Sequence, residues 1–319
     1  MKDLTFVIPM YNEEKNISNC VQILRNQTKH NFDVCFIDDG SSDNTLTILS
    51  DLLKDDIKFD YTIFQQKNSG AAAARKKGIE LANSKYVAMI DCDDSIAKNY
   101  VEKIISIIKS NSNVDMIIPN MKVENADGTW HDFVFYTEDL ILQNSEAIKN
   151  TFAGWKIHGI MCIKREIFLK SYEVYYKFND KKENFINNDE VITRINFMLS
   201  NKILRSDTIY YYHYNSESTT RKVNEKKYLM LENMLIMKSL FGNIDNIKDN
   251  FYKDLVDWTW GTYRYLVKFN KFLTNTKDWK NMLIKTINEI SYSDAFKHIS
   301  LEHKVKLVLL KEIIIRKIK

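Results

Sequence analysis

Short apolar runs alternate with helix-type stripes through the first 120 residues, and this alternation restricts the fold more than any other feature. The apolar runs are bounded by turns, as expected of β-strands, and they occupy residues 4–8, 34–37, 61–64, 86–90 and 115–118. Between them, apolar residues recur at helical spacing over 17–24 and 46–53, and an alanine-rich stretch covers 70–82. Strands that alternate with helices at this spacing predict a doubly wound α/β sheet, mostly parallel, with helices on both faces.

The pattern changes after the fifth predicted strand. Residues 119–220 are mixed and less regular, whereas helix-type apolar stripes dominate from about residue 225. We therefore predict one α/β domain over residues 1–220, divided into halves at 1–118 and 119–220, and a helical C-terminal region over residues 221–319.

Composition bounds the class of protein and its location. The 319 residues are 45% hydrophobic and 28% charged, as in ordinary globular proteins, and a net charge of +4 does not indicate a polyanion binder. Nucleic-acid binding is not expected, because no concentrated basic face with a reader motif is visible. Four cysteines without a CxxC pair argue against a structural metal site or a disulfide framework, so a cytoplasmic location is expected. No apolar run reaches about 18 residues, so no transmembrane helix is expected.

Carboxylates follow two of the predicted strands at the point where each strand ends. Asp38 and Asp39 come after the second strand, and Asp91, Asp93 and Asp94 come after the fourth. Open α/β sheets bind ligands beyond the carboxyl ends of their strands, and clustered carboxylates are tolerated chiefly when a cation joins them. Because Mg²⁺ and Mn²⁺ share oxygen ligands between carboxylates and substrate phosphates, we expect a metal and phosphate site there. The alternative is that acidic residues at these turns only cap helices.

Four motifs follow one another along the first hundred residues: Phe6–Glu14, Ile37–Asp43, Gln66–Gly70 followed by Ala74 and Arg75, and Ile90–Asp94. With these motifs the sequence resembles a family 2 glycosyltransferase of the GT-A fold, of the inverting type that builds bacterial surface polysaccharides or wall polymers. The resemblance covers residues 3–220 and implies a Rossmann-like sheet, a nucleotide-binding half at 1–118 and an acceptor half at 119–220. It also implies a UDP-sugar donor, Mn²⁺ or Mg²⁺ as cofactor, and a glycan, lipid-linked oligosaccharide or wall polymer as acceptor.

The resemblance assigns roles to residues within these motifs. In the family the first motif lines the nucleotide pocket, the aspartate matched by Asp39 bonds uracil, and the arginine matched by Arg75 lies near the nucleotide. The residues expected to contact the donor or its metal are Pro9, Tyr11, Glu13, Asp39, Asn68, Arg75, Asp91, Cys92, Asp93 and His213. Asp93 is the expected metal ligand, with Asp91 and His213 as further candidates, and Asp91 is also expected to contact the nucleotide or ribose. For His213 the alternative is a structural, partly buried histidine.

Two further expectations concern transfer itself. The acceptor hydroxyl must lose a proton as it attacks, and a carboxylate opposite the leaving group can take it. By resemblance the base is the aspartate of an acidic pair that begins a helix, so we predict Asp189 as the base and Glu190 as second choice. The family usually has glutamate where Asn188 stands, and the alternative is that both acids only favour the helix N-terminus electrostatically. A loop at residues 216–221 is expected to cover the donor, with Arg221 on phosphate.

Residues 297–319 combine basic and apolar side chains. Such a segment can lie on an anionic surface, here the inner face of the cell membrane. Because its apolar residues surround the helix on nearly all sides, a buried terminal helix or a contact between copies of the chain is an equally supported alternative.

Other functions compete with glycosyl transfer. A nucleotidyltransferase on a related sheet would show a glycine-rich basic loop after the first strand, where Pro9–Glu14 stands instead. A dinucleotide dehydrogenase would show GxGxxG there, and that motif is absent. The presence of Asp39, Asp91, Asp93 and Asp189 together argues against an inactive sugar-nucleotide or glycan-binding module, which turnover would separate from an enzyme.

Overall fold

The computed structural model describes residues 2–55, 57–152, 154–215, 223–290 and 292–317. The chain is divided into two compact units. The first comprises Met1–Asn144, Ile157–Asn179 and Ile195–Asn215, and the second comprises Ser145–Lys156, Asp180–Arg194 and Ser216–Lys319. The domain boundary at residue 220 stays a prediction, and the two units share the 119–220 segment between them.

The first unit is built on a ten-stranded sheet. Its strands are β1 (Leu4–Met10), β2 (Phe32–Asp38), β3 (Asp60–Gln65), β4 (Tyr86–Met89), β5 (Ser95–Ile96), β6 (Met116–Glu124), β7 (Trp130–Asp132), β8 (Ile141–Leu142), β9 (Cys162–Lys164) and β10 (Ile203–Tyr212). They lie in the order β3-β2-β1-β4-β9-β6-β10-β5, with β7 beside β6 and β8 beside β10. The predicted, mostly parallel α/β sheet is confirmed, since β3, β2, β1 and β4 pair in parallel and β6 pairs in parallel with β10. The short strand β9 runs antiparallel between β4 and β6.

Helices connect the strands and continue to the end of the described chain. They are α1 (Ile17–Arg25), α2 (Thr45–Leu52), α3 (Ala71–Leu81), α4 (Tyr100–Ser110), α5 (Asn144–Lys149), α6 (Arg165–Tyr176), α7 (Asn188–Leu199), α8 (Met230–Phe241), α9 (Lys248–Phe269), α10 (Thr276–Glu289), α11 (Tyr292–His298) and α12 (Leu301–Lys317). Helices α8 to α12 confirm the predicted helical C-terminal region.

Side chains alternate along β1, and this alternation explains why helices cover both faces of the sheet. Phe6 and Ile8 lie in one core together with Tyr100 of α4. Val7 points to the opposite face, where a Cβ added to Gly78 of α3 would lie 2.3 Å from Cγ1 of Val7. A glycine at this position is therefore needed for α3 to approach β1 so closely.

The C-terminal helix α12 packs through one face. His303, Leu307 and Leu310 are buried within the second unit. The opposite face carries an apolar row that is exposed, formed by Leu301, Val305, Val308 and Leu309. Within the described part of the chain, no helix combines the length and the apolar character needed to cross a membrane.

Candidate active site

The carboxyl ends of β1, β2 and β4 meet at one edge of the sheet in the first unit. These strands are parallel neighbours, with Met10 opposite Asp38 and Val7 opposite Met89. The segments that leave β1, β2 and β4 therefore emerge together at this edge, as in other open α/β sheets that bind ligands there.

Asp39 organises the loop that leads into α3. Its side chain is buried, and Oδ1 accepts hydrogen bonds from Nε2 of Gln66 and the backbone N–H of Ser69, both at 2.8 Å. Its Oδ2 accepts from the backbone N–H of Gly70 at 2.8 Å. Next to it, Gly40 has φ +81°, and a Cβ there would lie 2.9 Å from the backbone N of Asn68. Asp39 and Gly40 thus hold residues 66–70 against the end of β2, and the contact of Asp39 with uracil stays a prediction.

The first motif crosses the edge as a turn tied to the segment after β2. Pro9 lies within β1, and Tyr11 is 51% exposed. The backbone N–H of Glu13 donates to Oγ1 of Thr45 at 2.7 Å, which fixes this turn to the beginning of α2. Burial raises the pKa of Glu13 to about 7, Nδ2 of Asn16 opposes this by donating to its carboxylate, and the negative charges of neighbouring aspartates raise it further.

Two of the neighbouring aspartates, Asp93 and Asp91, differ in their partners. Nη2 of Arg75, from α3, lies 3.0 Å from Oδ1 and 3.1 Å from Oδ2 of Asp91. Oδ2 of Asp93 accepts a hydrogen bond from the neutral amide of Asn215 at 2.8 Å. The predicted residues Glu13, Arg75, Asp91 and Asp93 are therefore brought together in the first unit.

Asp94 and Cys92 point away from this group. The buried Asp94 carboxylate accepts from the hydroxyl of Tyr210 at 2.7 Å and from the backbone N–H of His213 at 2.9 Å. Burial raises the pKa of Asp94 to about 8, and the charge of Asp91 adds to the effect, while these two hydrogen bonds lower it. The side chain of Cys92 is buried in the core of the first unit, where its thiol lies beside Cys20, so a ligand at the edge would meet its backbone.

His213 follows β10 and is held on both sides of its ring. Nε2 lies 2.9 Å from Oγ of Ser95, and Nδ1 lies 3.1 Å from Oε2 of Glu124. The ring also meets the edge of Trp130, with centroids 5.0 Å apart. These contacts fit the structural alternative for this histidine, and its role as a metal ligand stays a prediction.

The side chains at this edge can be examined as possible ligands of a divalent cation. Among the residues that the structure describes, no group of three or more His, Cys, Asp or Glu side chains is arranged to hold a metal by itself. A cation here would need substrate oxygens as further ligands, and Mg²⁺ is commonly bound by one or two carboxylates together with phosphate oxygens. Asp93 fits this arrangement best, because a neutral amide bonds its carboxylate, whereas Asp91 is already paired with Arg75.

The predicted base lies in the second unit, at the beginning of α7. Asp189 is exposed in the first turn of the helix. Glu190 lies more deeply, and Oε2 forms an ion pair with Nη1 of the buried Arg194 at 3.2 Å. The Arg194 guanidinium lies over the rings of Phe152 and Trp155, 4.6 and 4.3 Å from their centroids. Glu190 thus compensates a buried charge, which leaves Asp189 as the better candidate of the pair.

One predicted contact region falls outside the described residues, and several residues at the site were not predicted. The expected loop at 216–221, with Arg221, lies outside the described residues. Tyr210 was not predicted, although its hydroxyl bonds Asp94 and accepts from the backbone N–H of Asp91 at 3.4 Å. Asn215 and Glu124 were also missed. Side chains alternate between buried and exposed positions along β10, and this alternation would have predicted that Tyr210 is buried. Its hydrogen-bond partners could not be predicted, because they lie on segments that are distant in sequence.

Comparison with known proteins decides the family. The family model described as glycosyl transferase family 2 matches residues 5–170, more than half of the chain. The chain belongs to glycosyl transferase family 2. Membership makes it a glycosyltransferase and favours that activity over the nucleotidyltransferase alternative.

Similar proteins include glycosyltransferase GlyG of Streptococcus pneumoniae, 26% identical over 68% of this chain and 73% of GlyG. TuaG of Bacillus subtilis, named for teichuronic acid biosynthesis, is 31% identical over 47% of this chain and 59% of its own length. The fold is shared with S. aureus TarS, residues 1-349, solved in complex with UDP-GlcNAc. That likeness has a TM-score of 0.67 at 18% identity and covers 98% of this chain and 90% of the other.

Proposed function

We propose that this glycosyltransferase moves a sugar from a UDP-sugar to a hydroxyl group, with inversion at the anomeric carbon and with Mn²⁺ or Mg²⁺ beside the donor. The observation that carries the proposal is the convergence of Glu13, Asp91 and Asp93 at the carboxyl edge of the sheet. Burial raises the pKa of Glu13 to about 7, and repulsion from the neighbouring aspartates adds to the shift. A cation bound through Asp93 would relieve that repulsion.

The edge of the first unit also suits a nucleotide. Asp39 and Gly40 shape the loop that carries Asn68, and the exposed ring of Tyr11 offers a face to a base. S. aureus TarS, which shares the fold, has been solved with UDP and with UDP-GlcNAc. We propose uracil at Pro9, Tyr11, Asp39 and Asn68, and ribose and diphosphate at Arg75, Asp91, the backbone of Cys92, Asp93 and His213.

In the proposed reaction the acceptor oxygen attacks the anomeric carbon as the bond from that carbon to the diphosphate oxygen breaks. Asp189 takes the proton of the attacking hydroxyl, and UDP leaves with the bonding electron pair. A bound divalent cation would supply charge stabilisation to the leaving diphosphate.

We propose a surface or wall polymer as the acceptor, with a lipid-linked oligosaccharide or another glycan as the remaining candidates. TuaG supports this choice through its name, which refers to a polymer of the wall. We also propose that the apolar row of α12 rests on the anionic inner surface of the cell membrane, where Lys304 and Lys311 of the same helix would meet lipid headgroups.

A panel of nucleotide-sugars with and without Mn²⁺ tests the donor. A ligand that binds the folded state raises the melting temperature by mass action, so UDP-sugars should stabilise the protein more with Mn²⁺ than without it. GDP-mannose and ADP-glucose serve as matched controls for the base. Stabilisation by a GDP-sugar or ADP-sugar alone, or by none of the panel, would contradict a uridine donor. Release of UDP by the stabilising donor then establishes turnover.

A further inference from the structure

A strained turn lies immediately before α7 in the second unit. Ile186 has φ +76°, and the backbone N–H of Asn187 donates to the carbonyl of Phe185 at 3.0 Å. This bond spans two residues, as in a γ-turn with positive φ, which is rare and strained. A β-branched residue seldom adopts such a φ, so the surrounding structure must hold it in place.

Asn188 closes the turn from one side. Its Oδ1 accepts from the backbone N–H of Phe185 at 3.0 Å, and its Nδ2 donates to the carbonyl of Glu183 at 2.9 Å. The residue that stands where the family usually has glutamate thus connects the first residue of α7 to the segment before it. Asp189, the proposed base, is the next residue.

Asn233 of α8 holds the turn from the other side. It is fully buried, although the other buried residues of α8 are apolar, namely Leu231, Met234, Ile236, Met237 and Phe241. Its Nδ2 donates to Oδ1 of Asn187 at 2.8 Å and to Oδ1 of Asn188 at 3.1 Å. Nδ2 of Asn187 has no hydrogen-bond partner among the described residues, so the bond to Asn233 through Oδ1 is what orients that side chain. A buried amide is costly unless its bonds are made, which ties α8 to this turn.

We propose that Asn233 is a positioning residue for Asp189: by bonding Asn187 and Asn188 it maintains the strained turn at Ile186, so that α7 begins where the base is correctly placed. The inference rests on the proposed role of Asp189. Without the two bonds from Asn233, Ile186 relaxes towards negative φ, and the first turn of α7 moves with the carboxylate of Asp189. The donor contacts lie in the first unit and stay unchanged.

Asn233→Leu removes both bonds at similar volume. With UDP-GlcNAc, or the UDP-sugar that the stabilisation panel selects, we expect kcat to fall by about tenfold or more, because a misplaced base costs rate. The KM and the binding midpoint for the donor should stay within about twofold of wild type. Thr259→Val is the matched control, because Thr259 is also fully buried in the second unit and, among the described residues, its hydroxyl bonds along its own helix, to the carbonyl of Leu255. It should leave kcat unchanged.

Ile186→Gly tests the strain itself. Glycine adopts positive φ without penalty, so the turn no longer depends on the bonds from Asn233. The single variant should stay active, and the double variant Asn233→Leu, Ile186→Gly should recover most of the lost kcat. A merely structural role for Asn233 predicts no such recovery. If Asn233→Leu does not fold, kcat is measured instead for Asn233→Ser, which keeps one hydrogen-bond donor, alone and combined with Ile186→Gly.

The inference is overturned if folded Asn233→Leu keeps wild-type kcat, if kcat and donor affinity fall together, or if an active Ile186→Gly variant gives no recovery in the double variant. Asp189→Asn separates this failure from failure of the proposed function. If Asp189→Asn turns over at the wild-type rate, the assignment of the base is wrong. If Asp189→Asn is inactive and Asn233→Leu is active, only the positioning role is wrong.

Discussion

Arg75 holds both carboxylate oxygens of Asp91 through Nη2, at 3.0 and 3.1 Å. The charge of Asp91 is thereby compensated within the protein, between α3 and the end of β4. Asp93, two residues further on, receives a neutral amide from Asn215, and no ion pair to its carboxylate is formed within the described part of the chain. The two aspartates of the Asp-x-Asp motif are therefore expected to respond differently to substitution.

Asp93→Asn should weaken binding of the metal, and Asp91→Asn should weaken binding of the UDP-sugar donor. We expect chelator to abolish UDP-sugar turnover and Mn²⁺ to restore it in wild type. In Asp93→Asn the Mn²⁺ concentration for half-maximal rate should rise at least about tenfold, since one charged ligand is lost. In Asp91→Asn that midpoint should change little while donor affinity falls, because Arg75 loses its partner. Full wild-type activity in chelator would contradict the metal proposal.

Asp189→Asn and Glu190→Gln should separate catalysis from stability. Asp189→Asn should bind donor normally and lose transfer, because an amide cannot accept the proton. Glu190→Gln removes the charge that compensates the buried Arg194, so it should lower the free energy of unfolding by about 3 kcal/mol. Thermal denaturation and initial rates measured on both variants check this. The reverse pattern, with the rate lost in folded Glu190→Gln alone, would make Glu190 the base.

His158 should contribute a loss of stability below neutral pH. This histidine is buried against the rings of Phe133 and Phe135, and Nε2 lies 2.9 Å from the carbonyl of Pro119. Burial lowers the pKa of His158 to about 4, while its backbone hydrogen bonds oppose the shift. Between the unfolded pKa of about 6.5 and the folded value, the unfolded chain binds a proton that the folded chain does not. The contribution of His158 to stability is therefore lost as the pH drops, by on the order of 2 kcal/mol at about pH 5, whereas the raised pKa values of Glu13 and Asp94 act in the opposite direction.

His158→Gln checks this assignment. The variant keeps a donor for the Pro119 carbonyl but cannot titrate, so it should be less stable at neutral pH and lose less stability between about pH 7 and pH 5. His131→Gln, at an exposed histidine on β7, should leave the wild-type pH profile intact. An equally steep profile in His158→Gln would show that other groups cause the loss.

The apolar row of α12 should control membrane association. We expect the protein to sediment with phosphatidylglycerol vesicles, and the double variant Val305→Ser, Val308→Ser should bind about tenfold more weakly because two apolar side chains are lost. Val267→Ser, at an exposed valine of α9, is the matched control and should bind like wild type. Unchanged vesicle binding in the double variant would contradict the membrane proposal. A change from dimer to monomer instead would identify the row as a contact between copies.

Local pattern accounts for the elements that were predicted correctly. The apolar runs at 4–8, 34–37 and 86–90 became β1, β2 and β4, because short runs of apolar and β-branched side chains are stable only when buried in a sheet. Pairing between distant segments was not predictable in the same way. Strand β9 enters antiparallel between β4 and β6, and nothing near residues 162–164 in the sequence specifies those neighbours.

The Asp-x-Asp motif shows which features of the site could be predicted from sequence and which depended on the tertiary structure. By itself the sequence determined that carboxylates stand at the end of β4, that an acidic pair begins α7 and that the chain is a family 2 glycosyltransferase, because these depend on local order and on motifs. Only the tertiary structure decided that Arg75 pairs with Asp91 and that Tyr210 and His213 engage Asp94. Those partnerships depend on which distant side chains share a buried space, where an uncompensated charge is too costly to remain.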